Sequence, residues 1–170
     1  MGVQTAVELG KEKLVNQKDV LVIGLGNAFR GDDAVGLFIA DELKKQPSVS
    51  AKIIKHEGEP VELLDLWQVY DHVILLDASL SGTRVGSVKR YDVVKQRLPK
   101  TALDASSHAF SLATALDLAK TLNYLPKNLV LHTIEGSSFS MGQGLSPPVR
   151  QASETLIEEL EEYLFFLKSC

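Results

Sequence analysis

The segment His72–Asp77, HVILLD, narrows the fold of this chain more than any other. A strand with one wet face alternates apolar and polar residues, whereas a continuous apolar run is buried on both faces and belongs inside a parallel sheet. Val20–Gly24, Ala51–His56 and Leu129–Ile134 read as further strands. Between them lie helical patterns: about Asp33 to Lys45, with Ala34, Leu37, Ala40 and Leu43 on one face; Pro60–Tyr70, with Val61, Leu64 and Val69; Ala109–Leu122; and Pro148–Leu167. Arg84–Tyr91 alternates and is bounded by Gly82 and Gly86, which predicts an edge strand. Strands alternating with helices predict an α/β fold, a three-layer α/β/α sandwich around a mostly parallel sheet of about five strands.

The chain has 170 residues and reads as one domain, 1–170, with residues 1–18 as an N-terminal extension before the core. A net charge of −4 provides no general attraction for nucleic acid or an anionic membrane. The run Glu158, Glu159, Glu161 and Glu162 reads as the solvated face of the last helix. Cys170 is the one cysteine, which excludes an internal disulfide framework and fits a reducing compartment. No apolar run approaches the roughly 20 residues of a membrane span. A cytoplasmic enzyme is the expectation, with the oligomeric state left open.

The segment Gly24–Gly36, GLGNAFRGDDAVG, follows the first strand and delivers Asp32 and Asp33 to the start of a helix. Asp77 closes the central strand, and His108 enters the helix from Ala109. In a parallel sheet Asp33, Asp77 and His108 all fall at the C-terminal edge, the usual crevice for ligands. Two carboxylates and an imidazole can bind a borderline divalent metal, or activate a water by general base catalysis. Each also has a purely local use. Asp32 can cap the helix, Asp33 can face the helix dipole, and Asp77 can close a turn. Asn27, Asp32 and Glu57 are expected at the rim of the site. His132 and Glu135 have helical spacing but lie in a strand, which splits them between faces. His56 and His72 read as ordinary packing or solvated positions.

GLGNAF begins like a dinucleotide fingerprint, yet Phe29 occupies the third glycine position. The Asp pair would also repel a pyrophosphate at the helix start. No nucleotide is expected.

Five blocks in order, GLGNAFRGDDAVG, HEGEPVELLD, VILLDAS, SSHAFSL and IEGSSFSMGQGLSPPV, span roughly residues 20 to 150 and resemble the hydrogenase maturation endopeptidases. The resemblance implies a three-layer sandwich with a five-stranded sheet, one strand antiparallel. It implies an aspartyl-type peptidase that removes the C-terminal peptide of a [NiFe] hydrogenase large-subunit precursor after nickel insertion, the nickel being supplied by that precursor. The family's metal-contacting positions map onto Asp33, Asp77 and His108, and its acid-glycine pair onto Glu57 and Gly58. Some members carry Glu at the position of Asp33, and others often carry Asp at that of Glu57. On this reading Asp32 caps the helix while Asp33 is directed to the metal. No serine, cysteine or threonine sits in a nucleophile motif, and there is no HExxH run. The competing expectations are a non-catalytic nickel-checkpoint binder of the precursor and another amide hydrolase, such as a peptidyl-tRNA hydrolase-like enzyme.

Overall fold

The computed structural model describes residues 20–99 and 109–169. Five strands, β1 (Val20–Leu25), β2 (Lys52–His56), β3 (His72–Ser79), β4 (Val88–Asp92) and β5 (Asn128–Glu135), form one sheet in the order β2-β1-β3-β5-β4. β1, β2, β3 and β5 are parallel, and β4 runs antiparallel along β5 at the edge. The HVILLD strand is the middle one and is buried from Val73 to Ser79. A short 3₁₀ turn, Gly31–Ala34, precedes α1 (Val35–Lys44); α2 (Pro60–Trp67), α3 (Ala109–Leu122) and α4 (Pro147–Ser169) complete the layers.

Strand alternation divides the core into two clusters. On one face Leu21, Ile23, Val73, Leu75, Leu129 and Leu131 pack against Leu63 and Trp67 of α2 and Leu112, Ala115 and Leu116 of α3. On the other, Val22, Ile74, Leu76 and Ile134 meet Val35, Ile39 and Leu43 of α1 and Leu156 and Leu160 of α4. Each fully buried Leu or Val contributes roughly 1.5–3 kcal/mol. Short helices such as α2 are therefore held by packing more than by propensity. Pro60 occupies the first turn of α2, and the Glu59 carboxylate caps it by accepting from the Glu62 N–H at 2.9 Å.

Two helix faces differ from the expected periodicity. α1 starts at Val35 and buries Val35, Gly36, Ile39, Ala40 and Leu43, leaving Leu37 half-buried. The preceding 3₁₀ turn, with three residues per turn, shifts the phase at which the α-helix begins. α2 buries Leu63, Leu64 and Trp67, while Val61 and Val69 are more than half exposed. The helix ends at Trp67, whose large side chain fills the core in their place.

Gly24 and Gly36 determine how α1 sits on the sheet. A Cβ on Gly36 would strike the carbonyl oxygens of Leu25 and Leu76, and one on Gly24 would strike the Gly36 carbonyl. Backbone thus lies against backbone at the end of β1 and β3. Gly36→Val is expected to cost about 3 kcal/mol through overpacking. Chemical denaturation checks this; a midpoint equal to that of the parent chain would contradict it.

Candidate active site

The order in which strands are added changes side at β1, with β2 on one side and β3 on the other, so a crevice opens at their C-terminal ends. The loop after β1 is built for a sharp return. Gly26 has φ +150°, and a Cβ there would strike the Asp33 carbonyl. Asn27 Oδ1 accepts the Phe29 N–H at 2.9 Å, an Asx turn, and the Arg30 N–H donates to the Asn27 carbonyl at 3.2 Å. Asn27 therefore shapes the loop at the rim.

The 3₁₀ turn that follows packs against β3, which brings Asp33 to the same sheet edge as Asp77. Both are buried, Asp33 fully and Asp77 to 3% exposure. Asp77 alternates with Leu75 along β3 and so belongs to the face covered by α2 and α3; its Oδ1 accepts the Ala78 N–H at 2.8 Å. Beside it in register is Thr133, whose buried hydroxyl has no hydrogen-bond partner among the described residues. His108 lies outside the described residues, one position before the start of α3. Among the described residues no three His, Cys, Asp or Glu side chains form a metal cage.

Glu57 is exposed just beyond β2, the edge strand on the far side of β1 from Asp77. The turn after it is fixed by His56. Its Nδ1 accepts the Gly58 N–H at 2.8 Å, so the neutral ring carries its proton on Nε2, which donates to Glu62 Oε2 at 2.9 Å.

Asp32 corrects the expectation of a helix cap. The turn has no side-chain cap, and the fully buried carboxylate reaches across the molecule instead. Oδ1 accepts the Ser146 N–H at 2.7 Å. Oδ2 accepts the N–H groups of Ser137 (2.8 Å) and Ser138 (3.2 Å) and the hydroxyls of Ser137 (3.2 Å) and Ser146 (3.0 Å). The Asp32 N–H donates to the Ser138 carbonyl at 2.8 Å. Helix-start position suggested a local role; the serines after β5 outcompete it because they supply both backbone and hydroxyl donors. Burial raises the Asp32 pKa, but the serine hydrogen bonds outweigh it and hold the group below its ordinary 3.8.

Glu135 is a second buried carboxylate of this kind. His132 and Glu135 do fall on opposite faces of β5. His132 faces the α4 side, where burial and the neighbouring Arg90 lower its pKa to about 4. Glu135 Oε2 accepts the hydroxyls of Ser79 and Ser81, both at 2.9 Å, and Oε1 accepts the N–H groups of Gly82 (2.7 Å) and Thr83 (3.2 Å). Burial raises its pKa and these bonds lower it further, leaving it below the ordinary value. Polar residues after Asp77 and after Glu135, in SLSGT and GSSFS, together with Ser146, are the sequence trace of these partners.

The sign of the pH effect follows from these depressed values. A carboxylate whose folded pKa lies below its unfolded one stabilises the protein above the unfolded pKa, and that stabilisation is lost as pH falls through the folded value. Asp32→Ala leaves three N–H groups without their acceptor, at about 1–3 kcal/mol for each that stays buried. Asp32→Asn is expected to be less stable than wild type at pH 7, the gap narrowing below about pH 3.8, the ordinary Asp value. Urea unfolding at pH 7 and pH 3 measures the gap; the same gap at both would contradict the assignment.

This fold matches known proteins. The family model described as HycI, hydrogenase maturation protease, matches residues 38–163, from α1 through most of α4, a span that contains Asp77 and begins after Asp33. The hydrogenase 2 maturation protease of Escherichia coli K12 is 26% identical over 144 residues, covering 83% of this chain and 87% of that protein. The hydrogenase expression/formation protein HupD of Thiocapsa roseopersicina is 26% identical over 151 residues, covering 86% and 67%. The hydrogenase maturating endopeptidase HybD from E. coli superimposes with a TM-score of 0.68 at 24% identity, covering 84% of this chain and 89% of that one. The HybD protease of Thermococcus kodakarensis gives 0.69 at 19% identity, covering 86% and 99%. With the family model matched over most of its length, the chain belongs to the hydrogenase maturation protease family and is a peptide hydrolase of the α/β class.

Proposed function

We propose that this protein is a nickel-dependent endopeptidase that removes the C-terminal peptide of a [NiFe] hydrogenase large-subunit precursor once nickel has been inserted. The observation that carries the reading is the pair of buried carboxylates, Asp33 and Asp77, brought to one sheet edge by the packing of the 3₁₀ turn on β3. With His108 they make a set of two oxygen donors and one nitrogen donor, which suits a borderline divalent ion such as nickel. The nickel belongs to the substrate, arriving in the precursor.

In this reading Asp33, Asp77 and His108 engage the precursor's metal and thereby hold the scissile peptide at the sheet edge. A substrate-borne divalent ion supplies Lewis acidity toward a carbonyl or a water. One of the two carboxylates accepts the proton of the attacking water, as a general base. Cleavage then requires a loaded precursor, and the free protein has no general proteolytic activity. The same reading assigns the reaction to the cytoplasm.

The test is a cleavage assay on precursor with and without nickel. Wild type is expected to release the peptide only from the loaded form. Asp33→Asn, Asp77→Asn and His108→Ala are each expected to lose on the order of 100-fold or more in kcat/KM. Wild-type rates in all three variants would remove the site assignment, and equal cleavage of nickel-free precursor would remove the gating. A wild-type protein that binds loaded precursor yet releases nothing would be a checkpoint binder.

A further inference from the structure

The sheet edge that holds Asp33 and Asp77 also exposes apolar side chains. Phe29, on the loop after β1, and Met141, on the loop after β5, are each 70% exposed, and Leu80, directly after β3, is 54% exposed. No other large hydrophobic side chain among the described residues is as exposed as Phe29 and Met141. Scattered apolar residues are ordinary on a surface, but a group of them around polar residues marks a place that another molecule covers. Here each comes from a different loop, and all three loops leave C-terminal strand ends at the site.

These side chains are also held outward. The Gly142 N–H donates to the Phe29 carbonyl at 2.9 Å, so the two loops run side by side. Asp32 ties the same loops together through Ser137, Ser138 and Ser146. Glu135 pins the loop that follows Leu80 through Ser81, Gly82 and Thr83. An unbraced loop can turn an apolar side chain inward, away from water. These loops cannot do so without stripping hydrogen bonds from buried carboxylates. Presenting apolar groups on a fixed frame lowers the ordering cost of association. An aromatic anchor beside an adaptable methionine suits an irregular protein surface.

We propose that Phe29 and Met141, together with Leu80, form the surface that receives an apolar stretch of the substrate protein beside the scissile bond. The inference rests on the protease reading of Asp33 and Asp77 and adds the chemistry of the substrate segment: apolar rather than charged. Asp33 lies four residues after Phe29, so a chain docked on this rim is continuous with the carboxylates. The surface acts in binding and does not touch the reacting atoms.

The test measures cleavage of nickel-loaded precursor by a Phe29→Ser/Met141→Ser double variant. KM is expected to rise about ten-fold or more, with kcat within about two-fold of wild type and an unchanged thermal midpoint. Phe166→Ser removes a 63% exposed aromatic at the far end of α4 and is expected to leave KM unchanged. An unchanged KM in the double variant overturns the proposal, as does an equal rise in Phe166→Ser. If wild type releases no peptide, the protease reading fails, and precursor binding decides the docking surface. A Kd weakened about ten-fold or more in the double variant then supports it; equal binding, or no binding by wild type, overturns it. A wild-type dimer that the double variant splits, with KM untouched, assigns the pair to self-association and overturns it too.

Discussion

The buried carboxylate of Asp32 is the interaction on which this sheet edge depends. An ionised group with no solvent exposure is tolerated only when its oxygens are filled with donors. Here five donors from Ser137, Ser138 and Ser146 fill them. Glu135 repeats the device with four donors, from Ser79 at the end of β3 and from Ser81, Gly82 and Thr83 after it. Both networks meet at the end of β5, where Glu135 supplies one carboxylate and Ser137 and Ser138 supply donors to the other. The loops after β1, β3 and β5 are thereby braced against one another by the protein alone. A fully satisfied buried network of this kind selects one arrangement, because any shift strands a polar group in a low-dielectric interior.

Adjacent aspartates thus have separate employments. A 3₁₀ turn advances about 120° per residue, so successive side chains diverge and cannot share one set of partners. Asp32 is consumed by the frame, whereas Asp33 remains at the edge beside β3. Gly24 and Gly36 serve the same end from below, letting α1 approach the backbone closely enough to bring this turn down onto the strand ends. The acid pair and the glycines that flank it are parts of one construction.

Much of the fold was legible in the sequence because its signals are local. The continuous run in HVILLD marks the central strand, the Ala- and Leu-rich period marks Ala109–Leu122, and Pro60 marks a helix start. An edge strand with a turn was legible in Arg84–Tyr91, and β4 is the antiparallel edge, although it starts only at Val88, after a turn through Val85 and Gly86. The phase of α1 was not legible, since it depends on a 3₁₀ turn and on the close seat of Gly36. Nor was the task of Asp32 or Glu135, whose partners lie far along the chain and leave no periodic trace. The placement of Asp33 in the turn after β1 and of Asp77 near the end of β3 was legible from their spacing, while His108 falls outside the described residues.

The hydrogen bonds of Asp32 span 105 to 114 residues of chain. Closing so long a loop carries an entropic cost that nearer contacts do not, and such contacts slow folding. Pairing of β1, β3 and β5 closes the same loops and so lowers the cost of forming these contacts. The frame of this sheet edge is accordingly built from contacts among the most distant in sequence, whose formation depends on the strands being paired.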